Sequence, residues 1–408
     1  MANNLPDLCL QNIFNHLSPD LKSLYSCTLV NKQWNYSSIP VLWSNPFIYV
    51  FEEQQPLESI KSLIDTYLSF LPQNQQQELE IDPKFNQNSM MFNYSVYIRH
   101  IHLYLIYEGV KYWCDLTNNI IKERENQICK ALIELLILNS SKIDTFEIYE
   151  SGDFNVSDIF CSISVIQKIQ KIYKLIIDKY SHSVFLLNYI QNVKFLKFYT
   201  HNPDLIDSLR QLVQSQKNLT DITISQPFKW CPSDLFPIYW EIFHSSKIVT
   251  STVTCIEFIY VQFPKNISLI YHLSLFTNLH YLKFNDCDFG FIHIKEDQLI
   301  QEINSSCPSS FKKLNTIIIE DSYLNLEILK ILLQLSGEEL LCLELLKVKI
   351  TKFNYIVKWL EVFCPNLRRL VIADKANDKL EIVQIHEFLR KFNNLSYVII
   401  NGKEHYAT

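Results

Sequence analysis

Apolar residues in the first 47 positions recur at helical spacing. Leu10, Ile13, Phe14 and Leu17 stand at i, i+3, i+4 and i+7, which aligns them along one stripe of a helix. Pro6 sits where a first helical turn tolerates a residue without an N–H. Ser18-Pro19-Asp20 reads as a stop and a restart, with Ser18 as N-cap and Pro19 in the first turn of the next helix. Leu21, Leu24, Tyr25, Thr28 and Leu29 repeat the stripe. Val30, Trp34 and Ile39 form a third apolar group, which Pro40 is expected to end before Val41-Leu42-Trp43. Three short helices cannot bury so many apolar groups among themselves. Either they cap the rest of the chain or they offer a docking surface to a partner.

A bridging segment, residues 48–92, follows. Ile48 to Phe51 predict a short strand, and Leu57, Ile60, Ile64 and Leu68 predict a helix. The Gln-rich run from Gln73 to Glu80 reads as an exposed loop.

From residue 93 to the end the pattern becomes repetitive. Runs of the form L-x-x-L-x-L, with other apolar residues allowed, begin at Ile143, Ile172, Val193, Leu219, Val253, Leu279, Leu314, Leu340, Leu367 and Leu395. The steps are 29, 21, 26, 34, 26, 35, 26, 27 and 28 residues and average 28, within the roughly 20–29 of leucine-rich repeats. Ile98, Ile101 and Leu103 mark an earlier copy followed by an insertion. Helical stripes precede the runs: Leu326, Leu329 and Leu333; Ile356, Trp359, Leu360 and Phe363; Val383, His386 and Leu389. Helix, turn and short strand in repetition predict an α/β array of parallel strands with outer helices, an irregular leucine-rich-repeat horseshoe. The repeat consensus asks for Asn or Cys eight residues after the first Leu, and only Cys287 supplies it. That departure predicts irregular turns and uneven curvature, and it leaves a generic α/β or α-helical array as the alternative. Alternate strand positions should face away from the helices. They include Tyr149, Lys197, Tyr199, Tyr281, Lys283, Glu320, Glu344 and Arg369, either a protein-recognition face or a merely solvated one.

Leu5-Pro6, Ile13-Phe14, Leu17, Leu24, Val30-x-x-x-Trp34 and Leu42-Trp43 together resemble, in order and spacing, the F-box motif. The stretch Leu24 to Trp34 is similar to large families of F-box proteins in fungi and amoebae. Cys9-Leu10 departs from the family, which often has Glu and an aliphatic residue there. The resemblance implies docking onto the Skp-family adaptor of cullin–RING ubiquitin ligases. By residue match, Leu5, Pro6, Leu8, Ile13, Phe14, Leu17, Leu24 and Val30 are the candidate adaptor contacts or their direct supports, and Trp34 and Trp43 hold the motif together.

Composition narrows the alternatives. The chain has 408 residues, 48% apolar and 20% charged, which is a core-forming balance. A net charge of −6 with dispersed Lys and Arg gives no basic stripe for nucleic acid. No apolar run reaches the roughly 18 residues that span a bilayer; Ala131 to Leu138 is broken by Glu134. The N-terminus lacks the basic start of a signal peptide, so a cytoplasmic or nuclear location is expected, with the eleven cysteines as thiols. Five glycines leave no phosphate-cradling loop. His100-x-His102 and Asp286-x-Asp288 place two ligand-type side chains together, but no third follows, and a structural reading prevails. No cofactor and no catalytic constellation is expected. The chain reads as residues 1–47 docking an adaptor, 48–92 bridging, and 93–408 holding an unidentified protein substrate. The alternative is a repeat scaffold outside ubiquitin chemistry, with the first helices as its cap.

Overall fold

The computed structural model describes residues 5–52, 56–81, 90–117, 124–148, 162–177, 189–199, 206–226, 240–243, 245–263, 268–289, 300–301, 303, 305, 311–348, 353–374, 392, 394–400 and 403–405. The chain forms two compact units, Met1–Ile190 and Gln191–Thr408.

The first unit begins with α1 (Asp7–His16), α2 (Leu21–Thr28) and α3 (Lys32–Leu42). Leu10, Phe14, Leu24 and Val41 make their shared core, with Trp34 edge-on to Phe14 at 5.5 Å. Local chemistry moves two expected boundaries. The N-cap of α2 is Asp20, not Ser18: its carboxylate accepts from the Ser23 N–H at 3.1 Å and from the Ser23 hydroxyl at 2.6 Å. These bonds hold the Asp20 carboxyl below its ordinary range. Asn31 caps α3 through the Trp34 N–H. Pro40 does not end α3 but lies inside its last turn, where it costs a single backbone bond and the helix runs on to Leu42.

Two further expectations are corrected. Residues 48–51 belong to a helix, α4 (Pro46–Glu52), with Pro46 in its first position. The run is rich in strand formers, yet packing wins: Phe47 is buried and stacks on Tyr67 at 5.8 Å. α5 (Leu57–Leu68) forms as expected and buries Ile60, Leu63, Ile64 and Leu68. The Gln-rich run is a short helix, α6 (Gln73–Glu78), whose Gln76 amide donates to the Leu71 carbonyl at 2.8 Å just past α5. The strand β1 (His100–His102) leads into α7 (Leu103–Thr117) and α8 (Glu125–Asn139), which fill the insertion. β2 (Thr145–Ile148), α9 (Ile163–Ile169) and β3 (Lys174–Ile177) complete this unit, with β1, β2 and β3 pairing in parallel. The bridging segment is an integral part of the core: Trp113 on α7 donates to buried Asp65 on α5 at 2.7 Å.

The second unit carries β4 (Phe195–Tyr199), α10 (Ile206–Ser215), β5 (Asp221–Ser225), α11 (Lys247–Thr252), β6 (Cys255–Ile259), α12 (Ser268–Ser274), β7 (Tyr281–Asn285) and β8 (Thr316–Glu320). α13 (Leu326–Ser336), β9 (Cys342–Val348), α14 (Phe353–Phe363), β10 (Arg369–Asp374), β11 (Tyr397–Ile400) and β12 (Lys403–His405) follow. Strands β4 to β11 pair in chain order and in parallel, and β12 folds back antiparallel on β11. Parallel neighbours need long crossovers, which the intervening segments supply. The stripes at 326–333 and 356–363 form α13 and α14; Val383, His386 and Leu389 lie outside the described residues.

Each strand from β1 to β11 starts two residues after the first apolar residue of its sequence run. The three motif positions therefore share one role in every copy. In the copy that holds β7, Leu279, Leu282 and Phe284 are buried, while Tyr281, Lys283 and Asn285 are half-exposed. The turns after the strands are more regular than the missing consensus residue suggested. Tyr260, Asp286, Asp321 and Lys347 each lie seven residues after the motif start and share φ between 51° and 61°. Their register repeats too: Tyr260 N–H donates to the Asn285 carbonyl, Asp286 to Glu320, and Asp321 to Leu346. Cys287, the lone consensus match, is buried with its thiol against the Phe258 and Asn285 carbonyls. A left-handed residue costs roughly 1–2 kcal/mol, against about 0.5–1 for the extra chain entropy of Gly. Tyr260→Gly is therefore expected to stabilise the protein by about 0.5–1 kcal/mol, read as a rise in thermal midpoint.

Candidate functional site

The first candidate surface is the helical motif. Its eight expected residues divide by burial. Phe14 and Leu24 are fully buried and Leu17 is half-buried, so they support the surface from within. Leu5, Pro6, Leu8, Ile13 and Val30 face solvent. Leu8 is 69% exposed and Val30 57%, so with Leu5 and Ile13 they put a set of aliphatic side chains on the surface. The Gln33 amide donates to the Leu5 carbonyl at 2.9 Å and to Asp7 at 3.0 Å. That clasp ties the start of α1 to the start of α3, next to Val30. Exposed residues outside the expected contacts include Leu29, 70% exposed, and Tyr25. The sequence did hold a signal for them, because Leu21, Leu24, Tyr25, Leu29 and Val30 overfill one helical face.

Trp43 joins the motif to the helices that follow. It stacks on Tyr94 at 3.9 Å and meets Tyr67 edge-on at 5.8 Å. The next residue, Ser44, accepts the backbone N–H groups of Arg99 and His100 through its carbonyl. The motif is thus fixed to the following helices and to β1.

The second candidate surface is the sheet face away from the helices. Lys197, Tyr199, Tyr281, Lys283, Glu320, Glu344 and Arg369 lie on strands at the alternate, less buried positions; Tyr149 lies outside the described residues. Lys197 sits 5.5 Å from the Tyr199 ring. The other charges are paired across strands. Lys283 lies 3.3 Å from Glu257 and 3.8 Å from Glu320. Lys347 reaches Asp321 at 3.1 Å and Glu320 at 3.9 Å. Arg369 donates to Glu344 at 2.6 Å and covers the Tyr397 ring at 4.5 Å. Glu257 escaped the sequence reading, although it occupies the same motif position as Lys197, Lys283 and Glu344. The described cations of this group are already engaged, so the face is a neutralised mosaic and not a field of one sign.

His102 pairs with Glu147 across β1–β2 at 2.6 Å. No group of three His, Cys, Asp or Glu among the described residues is placed to hold a metal ion. Burial pushes the Cys255 thiol up to about 12 and Cys342 to about 11, which keeps both protonated at neutral pH. No described helix is long and apolar enough to cross a membrane.

His100 carries a pH prediction. Burial, then the neighbouring His102, holds its imidazole down to about 4. The unfolded chain takes up this proton near pH 6.5 and the folded chain only near pH 4. Stability from this group is therefore complete above pH 6.5 and lost as pH falls toward 4. His100→Gln is expected to flatten that part of a stability-versus-pH profile measured by urea unfolding.

Fold and surfaces together define a class: a helical motif with outward apolar side chains, followed by an α/β array of parallel strands. Residues 2–49 match the family model described as F-box-like. This match supports an F-box protein, and F-box domains bind Skp-family adaptors in cullin–RING ligases. No curated protein matches the chain.

Proposed function

We propose that this chain is the substrate-recognition subunit of an SCF-type cullin–RING ubiquitin ligase. Residues 1–47 dock the Skp-family adaptor, residues 48–92 fix that motif to the body, and residues 93–408 hold a protein substrate as a leucine-rich-repeat-like array. The subunit makes no bond itself. It raises the local concentration of substrate beside the ubiquitin-loaded enzyme.

One observation carries the reading: an F-box-like motif with a closed core leaves Leu8, Ile13, Leu29 and Val30 outside it. A cap whose only task is to seal the array would bury such residues. The rival scaffold reading draws on the fixed end, where Trp43 and Ser44 tie the motif to the body. The two readings part on adaptor binding. Co-purification of the full chain with a Skp-family adaptor should give a stoichiometric complex, and a folded chain that captures no adaptor would favour the scaffold.

For the substrate face we assign Lys197, Tyr199, Tyr281, Lys283, Glu320, Glu344 and Arg369, and Tyr149 by its place in the sequence repeat. Aromatic rings and an exposed guanidinium beside paired charges suit protein recognition.

A further inference from the structure

We infer that the adaptor contact extends beyond the F-box, into a groove that α2 and the end of α3 form with α4 and α5; this inference rests on the docking reading above. The groove has a volume of about 890 Å³. Leu21, Tyr25 and Trp43 line its F-box side, and Val50 and Ser62 line the side made by α4 and α5. Glu58 is the one charged side chain among its lining residues.

Three observations commit the occupant to the same adaptor. The surfaces are continuous, because Tyr25 lines the groove and also belongs to the outward apolar set of the F-box. The apolar surface then carries on past the groove, since Leu57 at the first position of α5 is itself exposed. The third observation is size. A stable protein interface takes about 800 Å² and some 20–30 residues from each partner. Leu5, Leu8, Ile13, Leu29 and Val30, on α1, just before it and in the turn between α2 and α3, are too few to supply that alone. The groove's chemistry defines what enters: an amphipathic segment of the adaptor that inserts large apolar side chains and turns a Lys or Arg toward Glu58. α5 lies outside the matched F-box segment, so this part of the contact belongs to this chain and not to the motif.

The test titrates a Skp-family adaptor into the full chain by calorimetry. Ser62→Trp fills the groove from an exposed position on α5 and should leave the thermal midpoint unchanged. Glu58→Lys reverses the rim charge. The expected result is an affinity lowered about tenfold by Ser62→Trp and severalfold by Glu58→Lys. Wild-type affinity in both variants, with binding abolished by Leu8→Asp, would overturn the groove contact and leave the docking reading standing. No binding by the folded wild type would overturn both. Loss of bound anilinonaphthalene sulfonate in Ser62→Trp, at unchanged adaptor affinity, would assign the groove to a small apolar ligand instead.

Discussion

The full chain carrying Leu8→Asp, Ile13→Asp and Val30→Asp is expected to lose adaptor affinity by at least about a hundredfold, at a wild-type thermal midpoint. All three side chains face solvent, so the charges stay hydrated in the free protein and cost its fold little. In a complex the same positions would be desolvated. Two or three truncated or charged anchors at the centre of an interface each cost roughly 2 kcal/mol or more, and a hundredfold is about 2.8 kcal/mol. The choice of positions matters. An alanine set that included Phe14 would confuse loss of docking with loss of the helices, because Phe14 has no exposed surface. Unchanged binding by the triple variant would move the adaptor contact elsewhere on the chain.

Phe14→Ala is expected to behave in the opposite way. It deletes a fully buried ring that packs with Leu10, Leu24 and Val41 and meets Trp34 at 5.5 Å. Removing a buried Phe costs about 3–5 kcal/mol, because the lost transfer energy is joined by the cavity left behind. A whole domain holds only about 5–15 kcal/mol, and three short helices have few other contacts to fall back on. Hydrogen exchange should show residues 7–42 losing protection while the strands of the second unit keep theirs. Adaptor binding should fall in step with the fraction of unfolded motif. Full protection of α1 to α3 in this variant would contradict the core assignment.

The paired charges on the sheet face bear on both results. Lys283, Lys347 and Arg369 each have an acidic neighbour within 4 Å. Partly exposed pairs of this kind contribute little to stability, about 0–1 kcal/mol each. Their effect is on recognition: a partner must compete with an existing pair or accept the pair as a dipole.

The sequence determined by itself where the repeated strands fall. Its three apolar positions recur because a parallel strand covered on one side must bury the same three residues in every copy. That rule is local, so the strand starts could be counted from the motif, and the outward positions followed by alternation. The first helices were legible for the same reason, through the stripe and the Leu-Pro to Leu-Trp spacing. Tertiary structure decided what local rules cannot reach. Residues 48–51 carry strand formers and became helix because Phe47 found Tyr67 across the unit. Asp20, and not Ser18, became the cap because its carboxylate reaches two donors on Ser23. Tyr25 and Leu29 read as core by periodicity and lie outside, since a short helix packs only one of its faces. The charge pairs follow the repeat, since in-register strands set one motif position beside the next copy's; the groove between the F-box and α5 joins separate helices, which no repeat period encodes.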